Sequence, residues 1–102
     1  MAVAVATSRI VQECYGVVGI ASRKLKHGKA VLLDDNTYHE GINVSRQGEV
    51  VVVDVYVVVE YGARISAVAQ NIMSTVRDTL RRMLGTSAVR VNVHVQGLRI
   101  SG

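Results

Sequence analysis

The chain has 102 residues, with twelve Lys and Arg against eight Asp and Glu, one cysteine, and no Pro, Phe or Trp. That length supports one domain, residues 1–102, with a single modest core. The net charge of +4 permits contact with an anionic surface without demanding it. A lone cysteine excludes an internal disulfide and suits a reducing cytoplasm. A bilayer crossing needs about 20 consecutive apolar residues. The longest apolar run, residues 50–59, contains Asp54 and alternates as a strand does. The opening residues lack a basic leading segment, and Arg9 and Glu13 break them. A cytoplasmic protein is expected, reaching a membrane only through a partner or its own surface.

Residues 5–15 suit a helix, capped by Thr7 or Ser8, with Ile10, Val11 and Cys14 on one side. Gly16 and Gly19 then bracket two valines, and the expectation is a turn that ends the helix. Residues 22–29 are basic and read as exposed, and Asp34-Asp-Asn36 closes the next short element with turn-forming side chains.

The second half is more strongly patterned. Residues 42–46 form a first strand, and Gln47-Gly48 is a tight hairpin candidate. Residues 49–61 form a long second strand. Val51, Val53, Val55, Val57 and Val59 point one way, and Val50, Val52, Asp54, Tyr56, Val58 and Glu60 the other. That second face is only partly polar, so partial cover is expected. Residues 65–84 carry a helical stripe of Ile65, Val68, Ala69, Ile72, Val76, Leu80 and Met83, with Ser66 as cap and Gly85 as stop. Residues 89–96 alternate again, Val89, Val91, Val93 and Val95 inward and Arg90, Asn92, His94 and Gln96 outward. A helix of this length spans roughly 30 Å, enough to return the last strand beside the second by a crossover. The expected fold is α/β (α+β): a two-layer sandwich with a small mixed sheet of about three strands and helices on one face.

Three stretches in this order carry a family resemblance: Cys14-Tyr-Gly-Val-Val-Gly-Ile-Ala-Ser22, Val53-Asp-Val-Tyr-Val-Val-Val-Glu-Tyr-Gly62 and Val91-Asn-Val-His-Val-Gln-Gly97. Together they resemble the alkaline shock protein family, small cytoplasmic envelope-stress proteins of Gram-positive bacteria. The resemblance covers nearly the whole chain except residues 23–40. It implies a non-enzymatic protein linked to cell-envelope homeostasis, with no catalytic residues and no cofactor to carry over. It also implies partners. Some members are held at the membrane by a separate anchor protein or self-associate. Those of the short branch are encoded beside a dihydroxyacetone-kinase-like protein that phosphorylates fatty acids.

The candidate sites divide by chemistry. Cys14 would need a base to act as a nucleophile, and its ordinary reading is a small apolar residue on the buried side of the first helix. His39-Glu40 and His94 lack any recognisable metal-ligand spacing. The Gly16–Gly19 pair resembles the Gly-x-x-Gly loop of KH domains, although KH loops place basic or polar residues where this chain has valines. With Arg23, Lys24, Lys26 and Lys29 as anion contacts for phosphates or acidic lipids, it motivates an RNA-binding alternative. The favoured surface is the polar face of the sheet: Asp54, Tyr56, Glu60, Arg90, Asn92, His94 and Gln96. A tyrosine on a flat face of mixed polarity is a common anchor in protein contacts. The reading from sequence is therefore an interaction module that binds a protein partner and itself.

Overall fold

A computed structural model describes residues 2–100. In chain order they form helix α1 (Ala2–Glu13), strand β1 (Val17–Ile20), a 3-10 turn (Tyr38–Gly41), strands β2 (Ile42–Gln47) and β3 (Val50–Glu60), helix α2 (Ile65–Leu84) and strand β4 (Val89–Arg99).

Strand β3 organises the sheet. It pairs with β4 in parallel along nearly its whole length, and antiparallel with both β2 and β1. A strand has two edges, and β4 occupies one of them. Strand β2 therefore takes the first half of the other edge, against residues 50–55, and β1 the second half, against residues 57–59. The mixed sheet has four strands but is three strands wide, which fits the expected two-layer α+β architecture.

Both helices cover the same face. From β3 this face receives Val51, Val53, Val55, Val57 and Val59, which join Val11 of α1 and Val68, Ile72, Val76 and Leu80 of α2 in the core. The α2 stripe lies three to four residues apart, as an amphipathic helix requires. Ile65 and Met83, at its two ends, are exposed. Gly85 stops the helix by donating its amide to the Arg81 carbonyl at 2.9 Å. Its start differs from the Ser66 cap that the sequence suggests: Arg64 occupies the cap position, with no side-chain capping bond.

Two further expectations change. Helix α1 begins earlier, at Ala2, so Thr7 and Ser8 lie inside it. Both are buried. Thr7 Oγ1 donates to the Val3 carbonyl at 2.7 Å, and Ser8 Oγ accepts from Gln12 Nε2 at 3.3 Å. Each hydroxyl is thus satisfied within the helix rather than at its end. The glycine pair is the larger change. The turn is confined to residues 15–16, and Val17–Ile20 is a strand paired with β3. Edge pairing on β3 overrides the local turn signal of Gly19.

The basic segment is also ordered. Leu33 donates its amide to the Ile20 carbonyl and Ser22 to that of Val31, both at 2.8 Å, so residues 21–33 leave β1 as an irregular hairpin. Its tip is a two-residue turn, His27 (φ 53°) and Gly28 (φ 76°), closed by reciprocal Lys26–Lys29 backbone hydrogen bonds. Paired positive φ angles match the twist of a tight hairpin. After it, Asp34 Oδ1 accepts from the amides of Asn36 and Thr37 at 2.9 and 3.0 Å, the turn expected of Asp34-Asp-Asn36.

Candidate polar site on the open face of the sheet

Side chains alternate along a strand, so the even-numbered residues of β3 face away from the helices. The hairpin covers one end of this second face. Val58 is buried, and it shares a notch with Gly28 and Ala30 of the hairpin and with Gln96 and Gly97 of β4. The sequence expectation of a partly covered face is thus met, with residues 21–33 as the cover.

A register irregularity fixes the hairpin in place. Val57 pairs with Val95 but Val58 with Gly97, so Gln96 is the extra residue of a β-bulge. A bulge re-aims the side chain it carries. Gln96 Nε2 donates to the carbonyls of Ser22 and Arg23 at 3.1 and 3.0 Å, tying the hairpin base to β4.

The uncovered part of the face holds a connected polar group. Three asparagine and aspartate side chains stand in one row across the sheet, because Asn43 of β2 opposes Asp54 of β3 and Asp54 opposes Asn92 of β4. Asn92 Nδ2 donates to Asp54 Oδ1 at 3.1 Å, and Asn43 also hydrogen-bonds this carboxylate. His94 stands two residues further along β4, and its Nε2 lies 3.0 Å from the same oxygen. Tyr56 opposes His94 in register, and their rings stack with centroids 4.4 Å apart and planes 13° from parallel.

The electrostatics follow from this geometry. The hydrogen bond from His94, then those from Asn92 and Asn43, hold the Asp54 carboxyl below the usual carboxylate range, against the opposing effect of partial burial. An ionised carboxylate only accepts, so His94 Nε2 carries the proton between them. The pair is half-open, with 41% of the His94 side chain and 21% of that of Asp54 accessible. The result is a rigid platform: one negative charge, amide groups and a stacked ring pair, with exposed Arg90 beside it at the Val52 level.

The residues named from sequence therefore separate. Asp54, Tyr56, Asn92 and His94 come together, with Arg90 at their margin. Gln96 is turned to the hairpin. Glu60 lies six residues beyond Asp54, roughly 20 Å along the strand, opposite Arg99. Arg23, Lys24, Lys26 and Lys29 are all exposed on the hairpin. Asn43 is the member that sequence reasoning missed. The turn falls at Gly48-Glu49, one residue later than the Gln47-Gly48 turn expected, and pairs Gln47 with Val50 and Asn43 with Asp54; the expected turn would have set Asn43 against Val52.

Cys14 belongs elsewhere. It packs against the core on the helix side of the sheet, and its Sγ donates to the Ile10 carbonyl at 3.2 Å. Burial, then the neighbouring Glu13 charge, pushes its thiol pKa up, the opposite of what an activated nucleophile requires. His39 packs edge-on against Tyr38, with ring centroids 6.3 Å apart.

Among the described residues, no helix is long and apolar enough to cross a membrane. Residues 1–100 match the model of the alkaline shock protein 23 family, described by a cell envelope-related function. The chain is 37% identical over 90 residues to the uncharacterized protein YloU of Bacillus subtilis (strain 168), covering 87% of this chain and 75% of that protein. It is 40% identical over 91 residues to the uncharacterized protein Spy1614 of Streptococcus pyogenes serotype M6, covering 88% and 75%. A further similarity, 30% over 83 residues, is to the uncharacterized protein YqhY of Bacillus subtilis, covering 79% of this chain and 53% of that protein. No solved structure matches. With the family model spanning almost the whole sequence and two relatives covered over three-quarters of their length, the chain belongs to the alkaline shock protein family of cell envelope-related function.

Proposed function

We propose that this protein is a non-catalytic, cytoplasmic interaction module of envelope homeostasis, built as one domain, that binds a protein partner through the open face of its sheet. The observation that carries this reading is the Asp54 network: a carboxylate, two amides and a stacked Tyr56–His94 pair, fixed across three strands and left half-open. Preorganised aromatic and charged groups on a flat face suit protein recognition, since little entropy is lost when they are covered. The family resemblance suggests two kinds of partner, a membrane anchor protein or a kinase-like protein acting on fatty acids or dihydroxyacetone.

Self-association forms a second part of the reading. Among the described residues β4 pairs only with β3, so its other edge presents backbone groups to a further strand. The RNA-binding alternative has less support, because Val17, Val18 and Gly19 lie in a strand paired with β3 and only Gly16 lies in a turn.

The test is affinity capture from the cells that make the protein, with nuclease treatment and mass spectrometry. Stoichiometric, nuclease-resistant recovery of an anchor or kinase-like protein, lost with the Tyr56→Ala/His94→Ala variant, is the expected result. Recovery of RNA-linked proteins alone, abolished by nuclease, would overturn it.

A further inference from the structure

Cations and large aliphatic side chains meet at one end of the molecule, apart from the Tyr56–His94 stack. The hairpin carries Arg23, Lys24, Lys26 and Lys29 exposed, and Leu25 among them is 51% exposed. The Gln96 hydrogen bonds pin the base of this hairpin to β4. At its tip, Gly28 and Lys29 line the same notch as Leu98 and Arg99. Leu98 is 48% exposed and Ile100 81%. Tyr61, also exposed, donates its amide to the Arg99 carbonyl. Leu98 pairs in register with core Val59, so its side chain faces the helix side, whereas Arg99 shares the hairpin's face with Glu60.

Each half of that composition has a physical consequence. A single exposed leucine on a soluble protein needs no explanation. Leu25, set among the four cations of the hairpin, is a different case. Basic residues gain from the negative potential of an anionic leaflet, and aliphatic side chains gain by entering the boundary between headgroups and acyl chains. Tyrosine suits the same boundary, with an apolar ring and a polar tip. Single-stranded RNA would use the cations too, but it draws its remaining affinity from bases stacked on aromatic rings. Here the groups between the cations are mainly aliphatic. Glu60 stands opposite Arg99 and Glu40 lines a shallow pocket with Arg23 and Lys24, so four hairpin cations meet two carboxylates at this end.

We infer that this end of the molecule docks directly on anionic phospholipid headgroups, with the hairpin cations as electrostatic contacts and Leu25 entering the interface. This contact is independent of the partner face.

The experiment is co-sedimentation of the full chain with vesicles of phosphatidylcholine alone and of phosphatidylcholine mixed with phosphatidylglycerol, beside titration with a single-stranded RNA homopolymer. Binding to the anionic vesicles, weakened by salt and absent from the neutral ones, is expected. Lys24→Glu with Lys26→Glu should weaken it by about 25-fold or more, roughly fivefold for each basic residue lost at an anionic surface. Leu25→Ser keeps every charge and should still weaken vesicle binding by about fivefold. All three side chains are exposed, so unchanged circular dichroism is expected of the variants. Tyr56→Ala should leave vesicle affinity intact while weakening the protein partner, which separates the two surfaces. Failure to bind anionic vesicles, equal binding to neutral ones, or tight RNA binding indifferent to Leu25→Ser would overturn the inference.

Discussion

Asp54 is the residue on which the open face depends, and its titration exposes that dependence. Its folded pKa is depressed by the hydrogen bonds from His94, Asn92 and Asn43, whereas in the unfolded chain it sits near about 3.9. A depressed carboxylate contributes stability that is fully present above the unfolded value and is lost as pH falls through the folded one. Denaturant unfolding across the acid range should therefore show stability declining from near pH 4 downward. Asp54→Asn should flatten that decline, and an unchanged acid limb would contradict the network. Outward alternation along β3 and β4 made Asp54, Tyr56, Asn92 and His94 legible as one face. Which of them touch depends on the offset of two parallel strands joined by a 20-residue helix, and no local signal encodes that offset. Glu60 and Gln96 shared the alternation but left the group, one by distance along the strand and the other through a bulge.

Gly41 shows a different residue-scale constraint. A Cβ added there would overlap the carbonyl oxygen of Ala21, which belongs to the backbone where β1 runs into the hairpin. Backbone cannot move aside as a flexible side chain can. Gly41→Ala is expected to destabilise by about 1–3 kcal/mol, as overpacked sites do, and thermal unfolding would measure it. A variant as stable as the parent would contradict the close approach.

At the scale of elements, helix α2 was legible almost to the residue, because its apolar stripe recurs at helical spacing and Gly85 ends it. Leu80 is wholly buried on that stripe. Leu80→Ala should cost about 2–5 kcal/mol through lost burial and the cavity left behind, read as a lower denaturant midpoint. A loss well under 1 kcal/mol would mean that the helix does not pack as described. Strand β1 is the instructive opposite. Four residues containing a glycine give too short a pattern to outweigh a turn signal, and their pairing partner lies almost forty residues away. The hairpin of residues 21–33 was illegible for a related reason. Its order comes from Gln96, a side chain more than seventy residues distant.

At the scale of the whole molecule, one sheet divides the chemistry. The helix side is a core of branched aliphatics, against which Cys14 packs. The other side is part covered by the hairpin and part open around Asp54. The edge of β4 away from β3, unpaired among the described residues, adds a third surface. Sedimentation velocity over rising concentration should show species heavier than the monomer, and a monomer throughout would contradict strand-edge assembly. Pattern and family resemblance together made the layers legible, whereas the division of the second face into a cationic end and a polar platform needed tertiary structure.

The most direct test of the central claim uses the captured partner, purified and titrated calorimetrically with the full chain and with Tyr56→Ala and His94→Ala. Ring anchors at the centre of an interface typically cost 2 kcal/mol or more when truncated, about thirtyfold in affinity. The account predicts a loss of about that size for each variant, measured where circular dichroism shows the variant folded. Affinities equal to that of the parent chain would show that the partner binds elsewhere and would contradict the role assigned to the open face.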